Sequence, residues 1–297
     1  MKYTNKFDID PAIARAVMED RYELTGDVSV TGLLRPAQIA GLEYQHEEDL
    51  TLDVSEGLWR LLGSAVHEIL ARQRVSGALQ EHKLVIPVEG WEVSGTFDIL
   101  YTEEAVRRLK DYKVSTVWSY IYGKAEWEAQ VNLYVYMARI HGLQVDEASI
   151  SLIMRDWHEM ESRTRAGYPP RPFMEIPMPL WSAEETGAFL LRRVLVHQEA
   201  REGRWADCTD EERWARPTKY AVGKPKNKRA RRVYYTKGEA DSDVKPGELV
   251  TVRPGENIRC ERYCPVRRWC AQADRLGVPN NYSKAGGVKV DEYGIPH

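Results

Sequence analysis

The chain has 297 residues, of which 43% are hydrophobic, and its formal net charge is −3. This length allows one large hydrophobic core with a smaller extension. No run of about 18 apolar residues occurs, which argues against a transmembrane helix, and the charged first 27 residues do not resemble a secretion signal. We therefore expect a cytoplasmic protein that has no membrane partner.

The first half of the chain is predicted to contain three helical segments and then a group of strands. Apolar spacing predicts helices at 11–20 and 56–73, with a β-prone stretch at 28–34 and a second helical piece beginning at Arg35 and Pro36. Three β-rich stretches follow at 83–88, 92–101 and 105–114. They are separated by Glu89-Gly90 and by residues 102–104, a spacing typical of an antiparallel meander.

The second half begins with regular elements and then loses its periodicity. The pattern predicts a helix at 124–141, a strand at 147–156, an exposed polar and proline-rich loop at 162–172, a strand at 173–178 and a helix at 184–201. Beyond this helix a basic tract and all four cysteines appear. We place a boundary near residue 203, which separates a core with an N-terminal helical platform at 1–203 from an irregular segment at 204–297.

Two acids and a lysine stand at the ends of neighbouring predicted strands. Asp98 lies in one apolar strand, and Asp111 and Lys113 lie two residues apart at the end of the next. Side chains two apart on a strand point to one face, so the three could converge, whereas a surface salt bridge would not need all three. Carboxylates suit hard divalent cations such as Mg²⁺ or Mn²⁺, and a lysine can stabilise charge on a phosphate or orient the attacking water.

Four short motifs follow one another in order between residues 56 and 140. They are Gly63-x-x-x-His67-Glu68, Gly95-Thr96-Phe97-Asp98, Asp111-Tyr112-Lys113 and Gln130-x-x-x-Tyr134. Their order resembles the RecB-like branch of the PD-(D/E)XK nucleases, which includes CRISPR adaptation nucleases and phage exonucleases. The resemblance implies an α/β fold with a restriction-endonuclease-like core, in which helices flank a central mixed β-sheet.

The resemblance also implies a role for each matching residue. The implied metal ligands are His67, Asp98, Asp111 and the backbone carbonyl of Tyr112. Lys113 would assist catalysis, and Gln130 and Tyr134, which share one face of a helix, would contact the lysine or the DNA. Plain helix packing stays open for Gln130 and Tyr134. Glu68 and Glu81 are expected to be structural or solvated.

The cysteines form a second candidate site. None occurs in the first 207 residues, and Cys260, Cys264 and Cys270 follow Cys208 with the spacing C-x3-C-x5-C. In a cytoplasmic protein this clustering favours a metal or cluster site over disulfides, and four thiolates can bind zinc. The motif resembles the iron-sulfur motif of the same nuclease branch, which implies a [4Fe-4S] cluster. Several members place the lone cysteine before the core, whereas Cys208 follows it.

Residues 219–237 carry eight Lys or Arg residues and no acid. Such a tract is either a solvated loop or a phosphate-binding surface, and its interleaved tyrosines favour nucleic acid because their rings can stack on bases. The predicted nucleic-acid-binding residues are Lys224, Lys226, Lys228, Arg229, Arg231 and Arg232.

Together these features predict a deoxyribonuclease that depends on Mg²⁺ or Mn²⁺, with DNA as its partner. The resemblance favours an exonuclease that acts in recombination, in repair or in CRISPR or phage DNA processing. The alternative is a catalytically idle nucleic-acid-binding or scaffold protein that keeps the nuclease fold. A homo-oligomer or a protein partner from recombination or CRISPR pathways stays open.

Overall fold

The structure, a computed structural model, describes residues 2–20 and 24–279. The helices are α1 (Pro11–Glu19), α2 (Val30–Leu33), α3 (Ala37–Gln45), α4 (Val54–Ala71), α5 (Val117–Tyr122), α6 (Ala125–Ile140), α7 (Glu159–Thr164), α8 (Ala183–Arg201), α9 (Lys237–Ser242), α10 (Ile258–Arg262) and α11 (Ala271–Arg275). The strands are β1 (Lys2–Thr4), β2 (Val28–Ser29), β3 (Thr51–Asp53), β4 (Leu79–Val88), β5 (Trp91–Glu103), β6 (Val106–Ser115), β7 (Glu147–Met154), β8 (Phe173–Met178), β9 (Ala215–Arg216), β10 (Lys219–Gly223), β11 (Arg232–Tyr234), β12 (Leu249–Arg253) and β13 (Glu256–Asn257).

The fold is α/β, with a six-stranded mixed sheet flanked by helices, as the sequence predicts. The sheet has the order β2-β5-β6-β7-β8, and β4 pairs with β5. The strands β4, β5 and β6 form the predicted antiparallel meander, while β6 and β7 are parallel. Along β5, the short strand β2 pairs with Val93 and Ser94, and β6 pairs only from Ile99 onward. The strands β5 and β6 therefore separate just before Ile99.

Two tight turns set the register of the meander. Glu89 and Gly90 have φ values of 47° and 78°, and positive φ at both central residues is typical of the type I′ hairpin turn, which glycine adopts without strain. The second turn is at Glu104 and Ala105, with φ values of 51° and 64°. It lies slightly later than the predicted turn at 102–104, so β6 begins at Val106 rather than at residue 105.

The main core lies between the central sheet and helices α2, α6 and α8. Fully buried side chains from the sheet include Phe97, Leu109 and Leu152, and they share one cluster with Leu133 and Val194. Burying a large apolar side chain contributes about 1.5–3 kcal/mol each. A smaller cluster joins α1 to the first turns of α4. This contact holds α4, whose later turns carry His67.

The predicted β-prone stretch at 28–34 is mostly wrong. Only Val28 and Ser29 are a strand, and Val30–Leu33 is a helical turn. The Ser29 hydroxyl accepts a hydrogen bond from the Gly32 N–H at 3.0 Å, which caps the turn. The β-branched residues Val30 and Thr31 are therefore helical because of this cap, despite their preference for strands.

Two further short helices were not predicted. The turns of α5 follow β6 directly, and α7 occupies the start of the stretch that the sequence predicts as a polar loop. The other helices at 11–20, 56–73, 124–141 and 184–201 and the strand at 173–178 are confirmed to within about two residues. After residue 203 the described elements are short, and the longest of them, α9, has six residues. No helix in the described ranges is long and apolar enough to span a membrane.

A buried histidine connects α8 to α2. His197 is 4% exposed, and its Nε2 lies 3.1 Å from the Leu33 carbonyl oxygen. Burial, together with the positive charge of Arg193, lowers the pKa of His197 to about 4. The folded state therefore holds this side chain neutral at neutral pH.

This histidine predicts a loss of stability in mild acid. Because the folded pKa of about 4 lies below the ordinary value of 6.5, the unfolded chain binds the proton first, and stability present above pH 6.5 is lost as the pH falls toward 4. Between pH 7 and 4.5 the free energy of unfolding should fall by about 2 kcal/mol more in the natural protein than in His197→Gln. Urea titrations at both pH values measure this difference, and equal pH dependence of the two proteins would contradict it.

Candidate functional site

Two buried carboxylates face each other where β5 and β6 separate. The paired register of these strands runs from Glu103↔Val106 to Ile99↔Lys110, and the next facing positions in the same register are Asp98 and Asp111. Facing residues of an antiparallel pair project from the same side of the sheet. Asp98 is 7% exposed and Asp111 is 2% exposed, so the acids meet on one face inside the protein.

Lys113 lies on the same side of β6 as Asp111. Its Nζ is 2.6 Å from Asp111 Oδ2, and the side chain is 21% exposed. The contact has the distance of an ion pair, but Asp111 Oδ2 has no partner in hydrogen-bond geometry among the described residues. Burial raises the pKa of Asp111, and the nearby Lys113 ammonium opposes that rise. The lysine thus offsets one of two negative charges in a dry environment.

His67 reaches this pair from α4. Its Nδ1 lies 3.1 Å from Asp98 Oδ1, while the other Asp98 oxygen accepts a hydrogen bond from the Tyr112 N–H. The hydrogen bond to Asp98 raises the pKa of His67. The Tyr112 ring packs edge-on to the imidazole, with 6.4 Å between centroids. Asp98 is therefore held on both sides, by a helix and by the next strand.

The structure also places Glu81 beside this site, although the sequence predicts a structural or solvated residue there. Ligand atoms of His67, Glu81 and Asp98 all lie within 4.8 Å of one another, and Glu81 lines the same open pocket as His67 and Lys113. Burial and the Asp98 carboxylate raise the pKa of Glu81 to about 7. The Glu89-Gly90 turn is the feature of the sequence that could have revealed this pairing. It makes Val88 face Trp91, and seven residues further from the turn on each strand Glu81 faces Asp98.

Gln130 and Tyr134 share one face of α6, as the sequence predicts. The Gln130 Nε2 donates to the Tyr134 hydroxyl at 2.8 Å, and both side chains are buried. A Cβ at Gly95 would lie 3.0 Å from the Tyr134 ring, so the ring packs closely on β5. Gln130 lines a different pocket from that of His67. The geometry brings this pair together with β5, and a catalytic role for it stays a prediction.

The four cysteines come together. Cys208, Cys264 and Cys270 are buried in one cluster, and Cys260 packs against it. All four are free thiols. The cluster also contains Ile39, Leu42 and Leu50. The part of the chain from Cys208 to Cys270, here called the cysteine segment, therefore packs against α3 and the residues that follow α3.

Cys208 is brought to the others by side-chain amides. Its N–H is 3.1 Å from Gln38 Oε1 and 2.9 Å from Gln272 Oε1, and the Gln272 Nε2 donates to the Cys208 carbonyl oxygen at 2.8 Å. Burial raises the pKa of Cys208 to about 12 and that of Cys264 to about 11. Without a bound cation these thiols are neutral at pH 7.

The predicted basic residues divide into two groups. Lys224, Lys226, Lys228 and Arg229 lie on the exposed loop between β10 and β11, and within residues 2–20 and 24–279 none of them has an ion-pair partner. Arg231 differs, because Glu248 binds its guanidinium at 2.7 and 2.9 Å and Asp243 contacts it at 2.8 Å. The charge of Arg231 is therefore neutralised by acids within the protein.

The remaining predicted basic residue, Arg232, is exposed. Its guanidinium carbon lies 5.2 Å from the centroid of the Tyr234 ring, which is within the range of a cation–π contact. Arg232 thus stands beside the exposed loop with its charge facing solvent.

No protein-family model and no curated protein matches the chain. Among solved structures, SSO0001 is 14% identical, with 62% of this chain and 84% of that chain covered and a TM-score of 0.42. A protein from Eubacterium rectale described as a candidate exonuclease is 12% identical, with 57% of this chain and 64% of that chain covered and a TM-score of 0.31. Likenesses at this level assign neither a family nor an activity, so any activity has to be argued from the geometry of the site.

Proposed function

We propose that this protein is a metal-dependent deoxyribonuclease that hydrolyses phosphodiester bonds. The observation that carries the proposal is the meeting of two buried carboxylates, Asp98 and Asp111, beside Lys113 at 2.6 Å and His67 at 3.1 Å. A structural ion pair needs one acid and one base. This site gathers more negative charge than its lysine can neutralise, and it opens to a pocket.

The donor set fits a hard divalent cation such as Mg²⁺ or Mn²⁺. Asp98 and Asp111 are both buried, and the Lys113 ammonium beside Asp111 cannot neutralise both acids, so a bound cation would lower the cost of burying them. The residues that would hold the ion are Asp98, Asp111, His67 and the carbonyl of Tyr112. When bound, the ion supplies Lewis-acid charge and a more acidic water.

The side chains and backbone of the site would then have separate roles at the phosphate. Lys113, which Asp111 holds at the pocket, would stabilise the negative charge that builds on the phosphate oxygens, because a fixed cation in a partly dry site acts strongly on developing charge. The Tyr112 N–H and His67 would keep the Asp98 carboxylate in one orientation. These contacts fix the acid before substrate arrives, which is the preorganisation that catalysis requires.

Cleavage of end-labelled DNA tests this proposal. The full chain, purified without oxygen, is incubated with linear and with closed circular DNA, each single- and double-stranded, in Mg²⁺, Mn²⁺ or EDTA. We expect degradation of linear DNA only with a divalent ion, and intact circles if the enzyme is an exonuclease. Binding of DNA without cleavage under every metal condition would overturn the proposal in favour of an idle scaffold.

The exposed loop at 224–229 is proposed to contact the DNA backbone. Its four cations have no acidic partner in the described part of the chain, so they keep their charge available to phosphates. Lys226→Ala/Lys228→Ala should reduce the slope of log affinity against log salt by roughly 1.4–1.8, since each phosphate contact contributes about 0.7–0.9.

The salt dependence of DNA binding can be followed by fluorescence anisotropy between 50 and about 200 mM salt, a range in which phosphate contacts change affinity strongly. Lys237→Ala is the control, because that ammonium already pairs with Asp241 at 2.8 Å. An unchanged slope in the double variant would remove the loop from the proposed interface.

The four cysteines are proposed to bind a [4Fe-4S] cluster. The four cysteines lie in one cluster that also contains Ile39 and Leu42 of α3, and four thiolates can bind an iron-sulfur cluster or zinc. Either group would tie the C-terminal segment to α3. Iron and zinc analysis of anaerobically purified protein decides between the two.

A further inference from the structure

Glu81 lies outside the ligand set that the sequence motifs imply, yet it stands beside that set. We propose that Glu81 is an additional ligand of the divalent ion at the centre formed by His67 and Asp98. The inference rests on the proposed metal-dependent nuclease activity. It adds a carboxylate from a third strand and predicts that affinity for the ion depends on this residue.

The first support is the alignment of three strands. In the β4–β5 register, Gln80 faces Ile99 and His82 faces Phe97, so Glu81 stands opposite Asp98. Asp98 in turn stands opposite Asp111 in the register of β5 and β6. The three acids thus form one row across β4, β5 and β6 on the same side of the sheet.

The backbone at Glu81 supplies a second support. Its φ is 47°, a left-handed conformation that side chains other than glycine, asparagine and aspartate seldom adopt within a strand. The ladder resumes in the same register on both sides of this residue, so the distortion is confined to one position. Strain of this kind collects at ligand-binding and catalytic sites. Here it accompanies a carboxylate oxygen within 4.8 Å of the ligand atoms of His67 and Asp98.

The charges at the centre supply a third support. Within the described ranges Glu81 has no ion pair or hydrogen bond to its carboxylate, whereas Glu68, one residue from His67, is bound by Arg72 at 3.0 Å. The carboxyl groups of Glu81, Asp98 and Asp111 therefore stand beside the one ammonium of Lys113. This excess of acidic groups suits a divalent ion, which prefers oxygen ligands.

A fourth support is independent of Glu81 itself. Asp111 is 2% exposed, and its Oδ2 lies 2.6 Å from the Lys113 ammonium. One lysine cannot neutralise both this acid and the neighbouring buried Asp98, which points to a further cation in the row. Glu81 lies at the exposed end of that row and would close the ion's coordination on the pocket side.

Isothermal titration of Mn²⁺ into the full chain tests the inference. Glu81→Gln keeps the shape of the side chain and removes its charge, and Glu68→Gln is the matched control on the neighbouring surface of the same pocket. We expect Glu81→Gln to weaken Mn²⁺ binding on the order of tenfold or more, since loss of groups that support a metal centre costs 10- to 100-fold. Glu68→Gln should bind Mn²⁺ as the natural protein does.

Thermal melting separates a ligand from a structural residue. In EDTA, Glu81→Gln should melt no lower than the natural protein, because the substitution removes repulsion with Asp98. Addition of Mn²⁺ should raise its melting temperature less than that of the natural protein. A lower melting temperature in EDTA with an undiminished Mn²⁺ effect would assign Glu81 to structure and overturn the inference.

The two proposals fail in different ways. If the natural protein binds Mn²⁺ and cleaves DNA, and Glu81→Gln binds Mn²⁺ with the same affinity, only the role of Glu81 is wrong. If the natural protein binds no Mn²⁺ and cleaves no DNA, the proposed nuclease function fails and the inference fails with it.

Discussion

Replacing Lys113 with methionine is expected to slow DNA cleavage by about 10²- to 10³-fold, the usual effect of removing one group that stabilises transition-state charge. The ammonium lies 2.6 Å from Asp111 at the edge of the pocket, and methionine keeps much of the aliphatic stem while removing the charge. Initial rates on linear DNA in saturating Mg²⁺ measure the effect. Lys110→Met is the matched control, because Lys110 projects from the other side of β6 and pairs with Glu175 at 2.9 Å.

Loss of cleavage in Lys113→Met has to be separated from loss of folding. Removing the ammonium leaves the buried Asp111 without its ion-pair partner, which should lower the free energy of unfolding in EDTA on the order of 3 kcal/mol. The double variant Asp111→Asn/Lys113→Met removes both charges and should recover most of that stability while staying inactive. Rapid cleavage by Lys113→Met, or by a stable double variant, would show that the pair is not catalytic.

The sequence was sufficient to predict the meander and the convergence of Asp98, Asp111 and Lys113, because local rules decide both. Alternating apolar residues and a glycine turn fix β4 and β5, and the i, i+2 spacing puts Asp111 and Lys113 on one face whatever surrounds them. His67 was predicted from a motif, and its contact with Asp98 depends on how α4 packs. That packing comes from α1, far away in sequence.

The position of Glu81 beside Asp98 was not predicted, because it depends on strand register rather than on a motif. Only counting outward from the Glu89-Gly90 turn along both strands makes the two residues face each other. The backbone reversal at φ 47° is likewise invisible in propensities, which would place a glutamate on the solvent side of an edge strand.

Arg231 illustrates the opposite error. In the sequence it is one of several cations in a basic tract, with no acid nearby in the tract itself. Its partners Glu248 and Asp243 come from the chain that follows, after a short helix and a turn. Charge patterning alone cannot separate a cation that faces solvent from one whose charge is neutralised by tertiary contacts. The structure shows that Arg231 is ion-paired whereas the four loop cations are not, so Arg231 is left out of the proposed DNA interface.

The cysteine segment gives the largest expected effect on stability. Cys264 is 5% exposed, and burial raises the pKa of its thiol to about 11. As a thiolate in this environment it requires a bound cation, so ligand binding and folding of the segment should be coupled. Cys264→Ser is expected to lose absorbance near 400 nm and to melt roughly 5–10 °C lower, which corresponds to a few kcal/mol for a chain of this size.

Anaerobic purification, an absorbance spectrum, iron analysis and a melting curve of Cys264→Ser measure these effects together. Lys113→Met is the control, since it should keep the colour and the iron content of the natural protein while losing cleavage. Because Cys208 and Gln38 join the cysteine segment to α3, loss of the cluster should release the C-terminal segment before the central sheet melts. Limited proteolysis should then cut Cys264→Ser after residue 203 and leave the remainder intact. A colourless natural protein with four free thiols would exclude the iron-sulfur cluster, and a zinc-containing one would assign the cysteines to zinc.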